Sequence, residues 1–408
     1  MKILHTADWH IGKVLHKHSL IPEMELFLDW LIGVIDAHKI DLLLVSGDIF
    51  DIANPSVDDR KVYYQFLRRL IDAKVQVVIT GGNHDSIGLI DAPQDILELS
   101  NITVVGGAKQ DLRDEVIEVK DEEGNIQLVV AAVPFLRDRN LRTLASDKKF
   151  DKREDALKYG IARHYEEIGI ICKEVYPGIP AIAMGHLYAR GASTSESERD
   201  IHIGNAAAIE SDIFPEHFDY VALGHIHRPQ IIGKNPMMRY SGSPIALSFS
   251  EKRDKKVVVV LELVDGKFAD PEILDVPKWR ELKKITGTLS EVSQKLEKYD
   301  PDFQLNTFVE LEIEEEAFSA VTLAKVEELI SDYAAHEKFS ILKTKTGFKS
   351  GAKDTSDLFE QGSSIEDLRP MEVFEKLLEG ESLSEEKEAG LKDAFIELLE
   401  SVQQGGDL

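Results

Sequence analysis

The sequence predicts an α/β (α+β) fold: a sandwich of two β-sheets flanked by helices, then a small α+β domain and C-terminal helices. Short apolar runs of strand type alternate with helical patterns over residues 1–105 and again after residue 154, which is typical of βαβ units. Five of these runs end in a short polar cluster. Because groups just beyond the carboxyl ends of strands collect in one crevice of such a sheet, the clusters predict a single site.

The first half of the sandwich is predicted from four apolar runs and the helical patterns between them. Strands are expected near residues 2–6, 41–46, 76–80 and 102–106, and helices near 22–39, 56–73 and 90–98. Pro22 suits the first turn of its helix, where its missing amide hydrogen costs little. Residues 115–133 then predict a hairpin with its turn at 121–125.

The second half begins with a helix predicted near residues 154–174. Its strands are expected near residues 181–185, 219–223, 237–241, 256–263 and 267–274. Two halves of this kind predict a two-sheet core over residues 1–276.

Pro277 marks a domain boundary, since it ends the preceding pattern. Residues 277–345 predict an α+β domain without a catalytic cluster, and the Gly-, Ser-, Lys- and Asp-rich residues 346–368 predict a linker. Residues 369–408 predict two amphipathic helices. Such a tail can dock on its own chain, but its separation by a polar linker favours a groove on a partner.

Composition narrows the class of protein. With 408 residues and 43% hydrophobic content, the chain can bury a large core in two or three domains. The single cysteine, Cys172, excludes an internal disulfide and favours a reducing, intracellular setting. No signal-peptide pattern is present, and no apolar run approaches the roughly 18 residues that a membrane span needs. We therefore expect a soluble, cytoplasmic protein without a membrane partner.

The net charge of −26 argues against non-specific DNA binding by this chain alone, because neutralisation of phosphates dominates that affinity. It does not exclude a DNA substrate, since bound divalent cations would reverse the local sign of the charge at the site. The densest basic segment, residues 137–153, contains seven cations: Arg137, Arg139, Arg142, Lys148, Lys149, Lys152 and Arg153.

Apart from Asp85, the five polar clusters contain two Asp, one Asn and five His whose side chains can ligate a metal. They are Asp8-Trp9-His10, Gly47-Asp48, Gly82-Asn83-His84-Asp85, Gly185-His186 and Gly224-His225-Ile226-His227. Imidazole nitrogens and carboxylate or amide oxygens are ligands that first-row divalent metals accept. Seven of these residues suffice to hold two metals, which leaves one histidine for proton transfer.

The spacing predicts how the ligands divide between two ions. Asp8 and His10 are two residues apart, as are His225 and His227, so each pair projects to one side at the end of a strand. Asp48 is the predicted bridge, because a carboxylate has two oxygens. One ion then takes Asp8, His10, Asp48 and His227, and the other takes Asp48, Asn83, His186 and His225. Two such ions about 3.5–4 Å apart can activate water and stabilise in-line displacement at phosphorus.

The donor set contains no thiolate, which disfavours a Cys-rich structural zinc site. Manganese suits the set best, with iron and zinc as alternatives. His84 follows a predicted ligand directly, so its side chain is expected to point over the substrate, where it would stabilise the transition state and protonate the leaving oxygen. Asp85 is interpreted as a helix cap, with orientation of a histidine as the alternative. The chain has no phosphate-binding loop of the Walker type, so it has no visible means of hydrolysing nucleotide triphosphates itself.

The five clusters, in this order, resemble those of the calcineurin-like metallophosphoesterases. Within that superfamily the chain is similar to the SbcD-type nuclease subunits. The similarity extends over nearly the whole chain and includes KILHTADWHIGK, SGDIFD, GGNHDS, VPFLRDRN, GHLYARGASTSESER, DYVALGHIHRPQ, RYSGSPIALSF, VPKWREL and RPMEVFEKLL.

This resemblance implies a manganese-dependent DNA nuclease of DNA repair, recombination and replication, cytoplasmic and associated with the nucleoid. It would degrade double-stranded ends exonucleolytically and cut single strands and hairpins, under ATP control by an SbcC-like coiled-coil ATPase. Residues 277–345 would be a DNA-capping domain, and residues 369–408 would bind the ATPase. A homodimer within a heterotetramer is implied, for which the helical segments 56–73 (with Tyr63, Tyr64 and Leu67) and 90–99 are candidates.

One position departs from part of the family. Some archaeal and eukaryotic relatives carry a second catalytic histidine three residues after the bridging aspartate, where this chain has Asp51. Two other functions remain open: a phosphatase or phosphodiesterase for small phosphoesters or phosphoproteins, and a partner-binding scaffold with an inert core. The complete ligand set argues against the scaffold, and the missing Asp-Arg-Gly of the Ser/Thr phosphatases argues against the phosphatase.

Overall fold

A computed structural model describes residues 1–121, 123–145, 148–195, 197–198, 201, 209–317, 320–350, 371, 387 and 390–396. The chain divides into two compact units, Met1–Lys278 and Trp279–Leu408.

The first unit contains fifteen strands and six α-helices among its described residues. The strands are β1 (Lys2–Thr6), β2 (Val14–Leu15), β3 (His18–Ser19), β4 (Leu42–Ser46), β5 (Gln76–Thr80), β6 (Ile102–Val105), β7 (Val116–Lys120), β8 (Ile126–Ala132), β9 (Ala181–His186), β10 (Tyr220–Gly224), β11 (Gln230–Ile232), β12 (Asn235–Tyr240), β13 (Val257–Val264), β14 (Lys267–Phe268) and β15 (Glu272–Asp275). The helices are α1 (Ile21–His38), α2 (Val57–Ala73), α3 (Ile87–Asp91), α4 (Gln94–Glu98), α5 (Asp138–Leu144) and α6 (Arg153–Val175). Short 3₁₀ helices occur at Leu112–Glu115, Ser211–Ile213 and Phe249–Glu251.

Two sheets form the centre of this unit. The first has the order β14-β13-β1-β4-β5-β6, with β15 paired to β13. The second has the order β11-β12-β10-β9-β8-β7. Strands β1, β4, β5 and β6 are parallel, as are β8, β9, β10 and β12, so each sheet has a parallel centre and an antiparallel edge. All strands that precede a polar cluster therefore end on the same side of their sheet.

The two sheets share a buried apolar core. Ile3, Leu44 and Val78 of the first sheet belong to one cluster with Val130 and Met184 of the second. A separate apolar cluster lies between the outer face of the second sheet and α6. The predicted two-sheet sandwich flanked by helices is confirmed.

Several predicted elements differ in detail. The helix expected at 90–98 is two short helices, α3 and α4, because Pro93 lies between them and cannot donate a helical hydrogen bond. The strand expected at 267–274 is likewise two strands, β14 and β15, with Pro271 in the break. Helix α5 was not predicted. Its seven residues are too few for a helical period to be recognised.

The second unit contains a three-stranded parallel sheet with the order β16 (Leu282–Gly287), β17 (Thr307–Ala317) and β18 (Phe339–Ser350). Helices α7 (Leu289–Glu297) and α8 (Ala320–Asp332) contribute to its apolar cluster. Thr288 caps α7 in a capping box with Glu291. Strand β18 continues to Ser350, into the segment that was predicted as a linker from residue 346.

Most of the predicted linker and tail, residues 351–370, 372–386, 388–389 and 397–408, lies outside the described residues. Residues 390–396 are helical, within the second helix predicted for the tail. None of the helices in the described part of the chain has the length and apolar character needed to cross a membrane.

Candidate metal centre

All eight residues predicted for the site come together where the parallel strands of both sheets end. Asp8, His10, Asp48, His84, His186, His225 and His227 are buried, and Asn83 is partly exposed. Asp8 and His10 follow β1, Asp48 follows β4, and Asn83 and His84 follow β5. His186 ends β9, and the other two histidines follow β10.

Backbone hydrogen bonds join the loops after β1 and β4. Asp8 donates its N–H to the Gly47 carbonyl at 3.1 Å, and His10 donates to the Asp48 carbonyl at 3.0 Å. Trp9 lies between the two ligands in sequence and is fully buried, with its ring edge-on to Phe66 of α2 at 5.4 Å. The buried ring of Trp9 therefore fixes this loop in the position from which Asp8 and His10 reach the site.

Four of the site residues have left-handed backbone conformations: φ is 53° at Asp8, 48° at His10, 50° at Asp48 and 97° at His225. The spacing of the pairs Asp8/His10 and His225/His227 suggested that they reach the site from a regular extended strand. Their backbone conformations show that they do not. Such conformations cost of order 1–3 kcal/mol each and persist where the surroundings enforce them, which is common at functional sites.

Close approach of the two sheets requires glycine before His225. A Cβ placed on Gly224 would lie 1.8 Å from the carbonyl oxygen of Ser46. The same carbonyl accepts a hydrogen bond from Nδ1 of His186 at 3.0 Å, which leaves Nε2 of that ring to face the site. The glycine therefore allows the strand ends to meet closely enough for one imidazole to bridge them.

Two groups of side chains in the described part of the chain have ligand atoms close enough to share an ion, and Asp48 belongs to both. One group is His10, Asp48 and His84, and the other is Asp48, His186 and His225. Oδ2 of Asp48 lies 3.5 Å from Nε2 of His10 and 3.3 Å from Nε2 of His186. A ligand that bridges two ions requires such a placement between the two groups.

His227 faces the first group, and Asn83 faces the second. Nε2 of His227 lies 3.1 Å from Nε2 of His10. Oδ1 of Asn83 lies 3.0 Å from Nε2 of His186. Each group around Asp48 is thus extended by one further nitrogen or oxygen donor.

Two buried atoms in the site have no hydrogen-bond partner among the described residues: Oδ2 of Asp8 and Nε2 of His225. Oδ1 of Asp8 accepts the backbone N–H of His225 at 2.8 Å, so only its other oxygen lacks a partner. Buried polar atoms are seldom left without a partner, and a cation would satisfy both. The donor set, entirely nitrogen and oxygen, therefore fits divalent metal ions.

The charges at the centre are strongly coupled. Although burial opposes ionisation, the imidazoles of His186 and His84 hold the pKa of Asp48 well below its usual range. Burial would lower the pKa of His186, but the Asp48 carboxylate raises it to about 9. Asp48 and His186 therefore form an ion pair at neutral pH when no cation is bound.

The opposite shift occurs at Asp8. Burial raises the pKa of its carboxyl to about 7, against the opposing charge of His186. Burial, reinforced by the charge on His186, holds the pKa of His225 well below its usual range. Two unlike charges, a carboxyl that is about half ionised at neutral pH and a neutral imidazole thus share one buried space, as expected of ligands that a cation completes.

The position of His84 after Asn83 suggested that its side chain points away from the donor groups. The structure shows that it points toward them. Its Nε2 lies 4.0 Å from Oδ2 of Asp48, and its ring lies edge-on to that of His10, with centroids 4.6 Å apart. Its Nδ1 faces the backbone carbonyl of Asp51 at 2.5 Å. Because the backbone carbonyl can only accept, Nδ1 carries a proton and Nε2 faces the centre.

Asp51 also contacts the centre through its side chain. Its Oδ1 lies 3.2 Å from Nδ1 of His10 and 3.2 Å from Nζ of Lys13. Although burial opposes ionisation, these neighbours hold the pKa of Asp51 well below its usual range. The residue that replaces a second histidine is therefore an anionic support for His10, a role that its sequence position did not predict.

Among the described residues, Asp85 neither caps the following helix nor hydrogen-bonds a histidine ring, so the cap interpretation is wrong. Helix α3 has Ser86 as its N-cap, without a side-chain hydrogen bond. The Asp85 carboxylate instead accepts the backbone N–H groups of Phe50 at 3.0 Å, Ile49 at 3.1 Å and Gly82 at 2.9 Å. It joins the loop that carries Asp48 to the loop that carries Asn83 and His84.

The basic segment 137–153 is partly internal. Arg137 is buried and donates to the backbone carbonyl of Asp85 at 3.1 Å, and Arg153 pairs with the buried Asp138 at 2.5 Å. Arg139 and Arg142 on α5 are exposed, as are three lysines that follow: Lys148, Lys149 and Lys152. The segment thus begins in contact with the loop that carries His84 and continues as a positive surface.

Family models match most of the chain. Residues 1–229 match the model described as calcineurin-like phosphoesterase. Residues 278–382 match the model described as type 5 capsule protein repressor C-terminal domain.

Curated relatives match over comparable lengths. The SbcD subunit of the nuclease SbcCD from Escherichia coli (strain K12) is 31% identical over 405 residues, which cover 98% of each chain. Its namesake from Bacillus subtilis (strain 168) is 30% identical over 99% of each chain. That from Rhodobacter capsulatus is 36% identical over 68% of this chain and 70% of the relative.

Proposed function

The chain belongs to the calcineurin-like phosphoesterases and, within them, to the SbcD nuclease subunits, and we propose that it hydrolyses DNA at a centre of two divalent metal ions. Metal-dependent hydrolysis is the activity of this family of nucleases. The proposed substrates are double-stranded ends, degraded exonucleolytically, and single strands and hairpins, cut endonucleolytically. Control by ATP would come from an SbcC-like coiled-coil ATPase.

The observation that carries this proposal is the pair of donor groups that share Asp48. We assign Asp8, His10, Asp48 and His227 to one ion, and Asp48, Asn83, His186 and His225 to the other. The buried, unpartnered atoms of Asp8 and His225 support ligation over an ordinary buried polar network. Manganese is the proposed metal, because it accepts a mixed set of imidazole, carboxylate and amide ligands.

Two divalent ions, when bound, lower the pKa of water and stabilise charge on a phosphate undergoing in-line displacement. The protein's own residues fix the geometry for that reaction. The Ser46 carbonyl holds His186, and the Asp51 carboxylate holds His10, each through Nδ1. Both rings therefore present Nε2 to the centre.

His84 is the proposed catalytic residue. Its Nδ1–H is fixed by the Asp51 carbonyl, so Nε2 can hold a proton near the phosphate and deliver it to the leaving oxygen. Nε2 of His84 lies 4.0 Å from Oδ2 of Asp48. When the His84 ring is protonated, it therefore also places positive charge beside the phosphate oxygens.

A DNA substrate is favoured over a small ester by the surface next to the loop that carries His84. Arg137 ties the start of α5 to the residue after His84, and exposed Arg139 and Arg142 follow on that helix. Spaced cations beside an active site contact successive phosphates of a polymer, and a small ester would leave them unused.

The test compares manganese-dependent digestion of a labelled DNA duplex with release of phosphate from small phosphoesters. We expect the duplex to be degraded, with no turnover when manganese is replaced by a chelator. Hydrolysis of the small ester alone would contradict the proposal. Arg139→Ala should weaken duplex binding and reduce its dependence on salt, whereas Lys255→Ala, which removes an exposed cation elsewhere on the sandwich, should not.

We further propose that residues 277–345 contact DNA as a capping domain and that residues 369–408 bind the ATPase. Co-purification with the ATPase tests the second assignment. Deletion of 369–408 should abolish co-purification and leave manganese-dependent cleavage of single strands intact. Retention of the ATPase by the shortened chain would show that the binding surface lies elsewhere.

A homodimer within a heterotetramer is the proposed assembly. Of the three residues singled out on α2, Tyr63 and Leu67 are buried in their own unit, so only Tyr64, 41% exposed, can serve an interface. In the second candidate segment, Ile96 of α4 and Leu99 at its end are 73% and 87% exposed. Leu99→Asp should yield monomers in light scattering, and Ile170→Asp, an exposed position on α6, should not.

A further inference from the structure

A buried network of charged and hydroxyl groups lies behind His227, on the side away from His10. It includes Glu251, which is fully buried, and Lys256, which is 9% exposed. These residues come from the 3₁₀ helix Phe249–Glu251 and from the segment before β13. Ser197 and Glu198, from the segment after β9, also belong to the network. Ser197 and Glu198 lie in the motif GHLYARGASTSESER without a role assigned from the sequence, and Glu251 and Lys256 lie outside every quoted motif.

Two side chains fix the backbone of His227. Nζ of Lys256 donates to the His227 carbonyl at 3.0 Å, to Oγ of Ser243 at 2.8 Å and to Oε2 of Glu251 at 2.5 Å. These three bonds use all the protons of the ammonium group. Oε1 of Glu198 accepts the N–H of His227 at 2.9 Å. Both the N–H and the carbonyl of His227 are thus hydrogen-bonded to side chains.

The ring of His227 is held through a hydroxyl. Oγ of Ser197 lies 2.7 Å from Nδ1 and also hydrogen-bonds Oε1 of Glu251. Oγ of Ser195 also lies 2.7 Å from Oγ of Ser197 and donates its own proton to Oε2 of Glu198. Because a carboxylate can only accept, the close contact with Glu251 takes the single proton of Ser197, which offers a lone pair to Nδ1. Nδ1 must then carry the ring proton. Nε2, which lies 3.1 Å from Nε2 of His10, keeps its lone pair for the centre.

We propose that Glu251 is a positioning residue for His227: acting through Ser197, it selects the tautomer whose Nε2 lone pair faces the metal position. Lys256 holds Glu251 in place and completes its hydrogen bonds. The inference rests on the proposed function, in which His227 is a metal ligand.

The alternative is that Glu251 and Lys256 only stabilise the fold. A buried ion pair is a poor means to that end, because an apolar pair of similar volume is often as stable. The pair does supply what an apolar pair cannot, since its members bond the carbonyl of His227 and the hydroxyl that faces the ring. Hydrogen bonds to the outer nitrogen of a ligating histidine orient the ring and raise metal affinity.

The test is Glu251→Gln in the full-length protein, with manganese affinity measured calorimetrically and the histidine tautomer read by ¹⁵N NMR of the metal-free protein. An amide can donate to Ser197 as well as accept, so the direction of the hydrogen-bond chain is no longer fixed. We expect manganese affinity at one of two sites to fall about 10–100-fold. The His227 ring should change from a single Nδ1–H tautomer to a mixture.

Ser197→Ala provides a second, milder variant. Oε1 of Glu251 lies 3.4 Å from Nδ1 and can accept from it weakly once the hydroxyl is gone. We expect a smaller loss of manganese affinity with the Nδ1–H tautomer partly retained. If Glu251→Gln does not fold, this variant decides: unchanged affinity and unchanged tautomer would overturn the inference.

The matched control is Glu115→Gln. Glu115 is also fully buried and lies 2.7 Å from Nε2 of His164, but it belongs to neither donor group. The Glu115→Gln substitution should lower the melting temperature of the protein without altering its manganese affinity. Equal loss of affinity in both variants, or wild-type affinity and tautomer in Glu251→Gln, would overturn the inference. Failure of the wild-type protein to bind manganese would instead overturn the proposed function.

Discussion

The backbone carbonyl of Asp51 lies 2.5 Å from Nδ1 of His84, so the orientation of the proposed catalytic histidine depends on a main-chain atom. The Asp51 side chain does something else: it supports His10. A substitution at this position can therefore separate two effects, because it removes the carboxylate and retains the carbonyl.

Asp51→Ala should lower manganese affinity and spare the chemical step. His10 loses the acceptor for its Nδ1–H, a change that typically costs about 10–100-fold in metal affinity. His84 keeps its carbonyl partner, so cleavage measured at saturating manganese should approach that of the wild type. Asp51→Asn, whose side-chain oxygen can still accept from His10, should show the smaller loss of affinity. Cleavage that stays low at saturating manganese would mean that the carboxylate takes part in the reaction itself.

His84→Ala should abolish cleavage while both metal ions remain bound. Loss of a positioned proton donor typically costs about 10²–10⁴-fold in rate. His84→Gln, which keeps a polar group at the position, should be nearly as inactive, because glutamine cannot exchange a proton. Metal content measured by elemental analysis separates the two roles that the geometry allows, since His84 lies within ligand distance of His10 and Asp48. Loss of one ion in His84→Ala would identify it as a ligand.

Much of the site could be predicted because its residues follow strands that end at the same side of their sheets. Asp48 and His186 lie far apart in the chain, yet the order of βα units places both strand ends at one crevice. The period of the apolar runs predicted the strands, and the rule for parallel sheets predicted the convergence.

The remainder depended on contacts that no local pattern encodes. Asp85 has the sequence context of a helix cap, but three backbone N–H groups from two loops compete successfully for its carboxylate. The partners of His227 lie at Ser197 and Glu251, in segments without periodicity. Tyr63 and Leu67 lie on a helix that was proposed for an interface, and their burial depends on packing that one helix cannot reveal.

Asp85→Ala should destabilise the protein and loosen the metal centre together. It leaves the buried N–H groups of Ile49, Phe50 and Gly82 without their acceptor, and each unsatisfied group costs roughly 1–3 kcal/mol. Chemical denaturation should show that the free energy of unfolding falls by several such increments. Manganese affinity should also fall, because the loop that carries Asp48 separates from the loop that carries Asn83 and His84. Asp91→Ala is the control, since Asp91 also accepts a backbone N–H, from Gly106, but lies outside the donor groups. A variant that loses stability without losing manganese affinity would show that the loops hold their positions without this carboxylate.

The metal-free protein should become less stable as pH rises from about 6.5 to 9, as judged from the raised pKa values of His186 and Asp8; below about 6.5 the lowered pKa of His225 acts in the opposite direction. The pKa of His186 is raised from 6.5 to about 9, so its stabilising contribution is complete below 6.5 and is lost as pH rises through 9. The pKa of Asp8 is raised from 3.8 to about 7, so its contribution is complete below 3.8 and is lost as pH rises through 7. Both shifts act in the same direction, and above about pH 7 the loss of stability comes from His186. Thermal unfolding of chelator-treated protein across the range measures the effect.

Metal binding should show the opposite dependence on pH, because the ligands must lose these protons. At pH 7–8 His186 is protonated in the metal-free protein, and a cation that takes its Nε2 must displace that proton. Manganese affinity should therefore rise with pH up to about 9, and calorimetry in buffers of different ionisation enthalpy should detect about one proton released from His186 per protein. His186→Gln should remove that proton release, whereas His164→Gln, a buried histidine paired with Glu115 outside the donor groups, should preserve it. Manganese binding without any release of protons at pH 7 would contradict the assignment of His186 as a ligand.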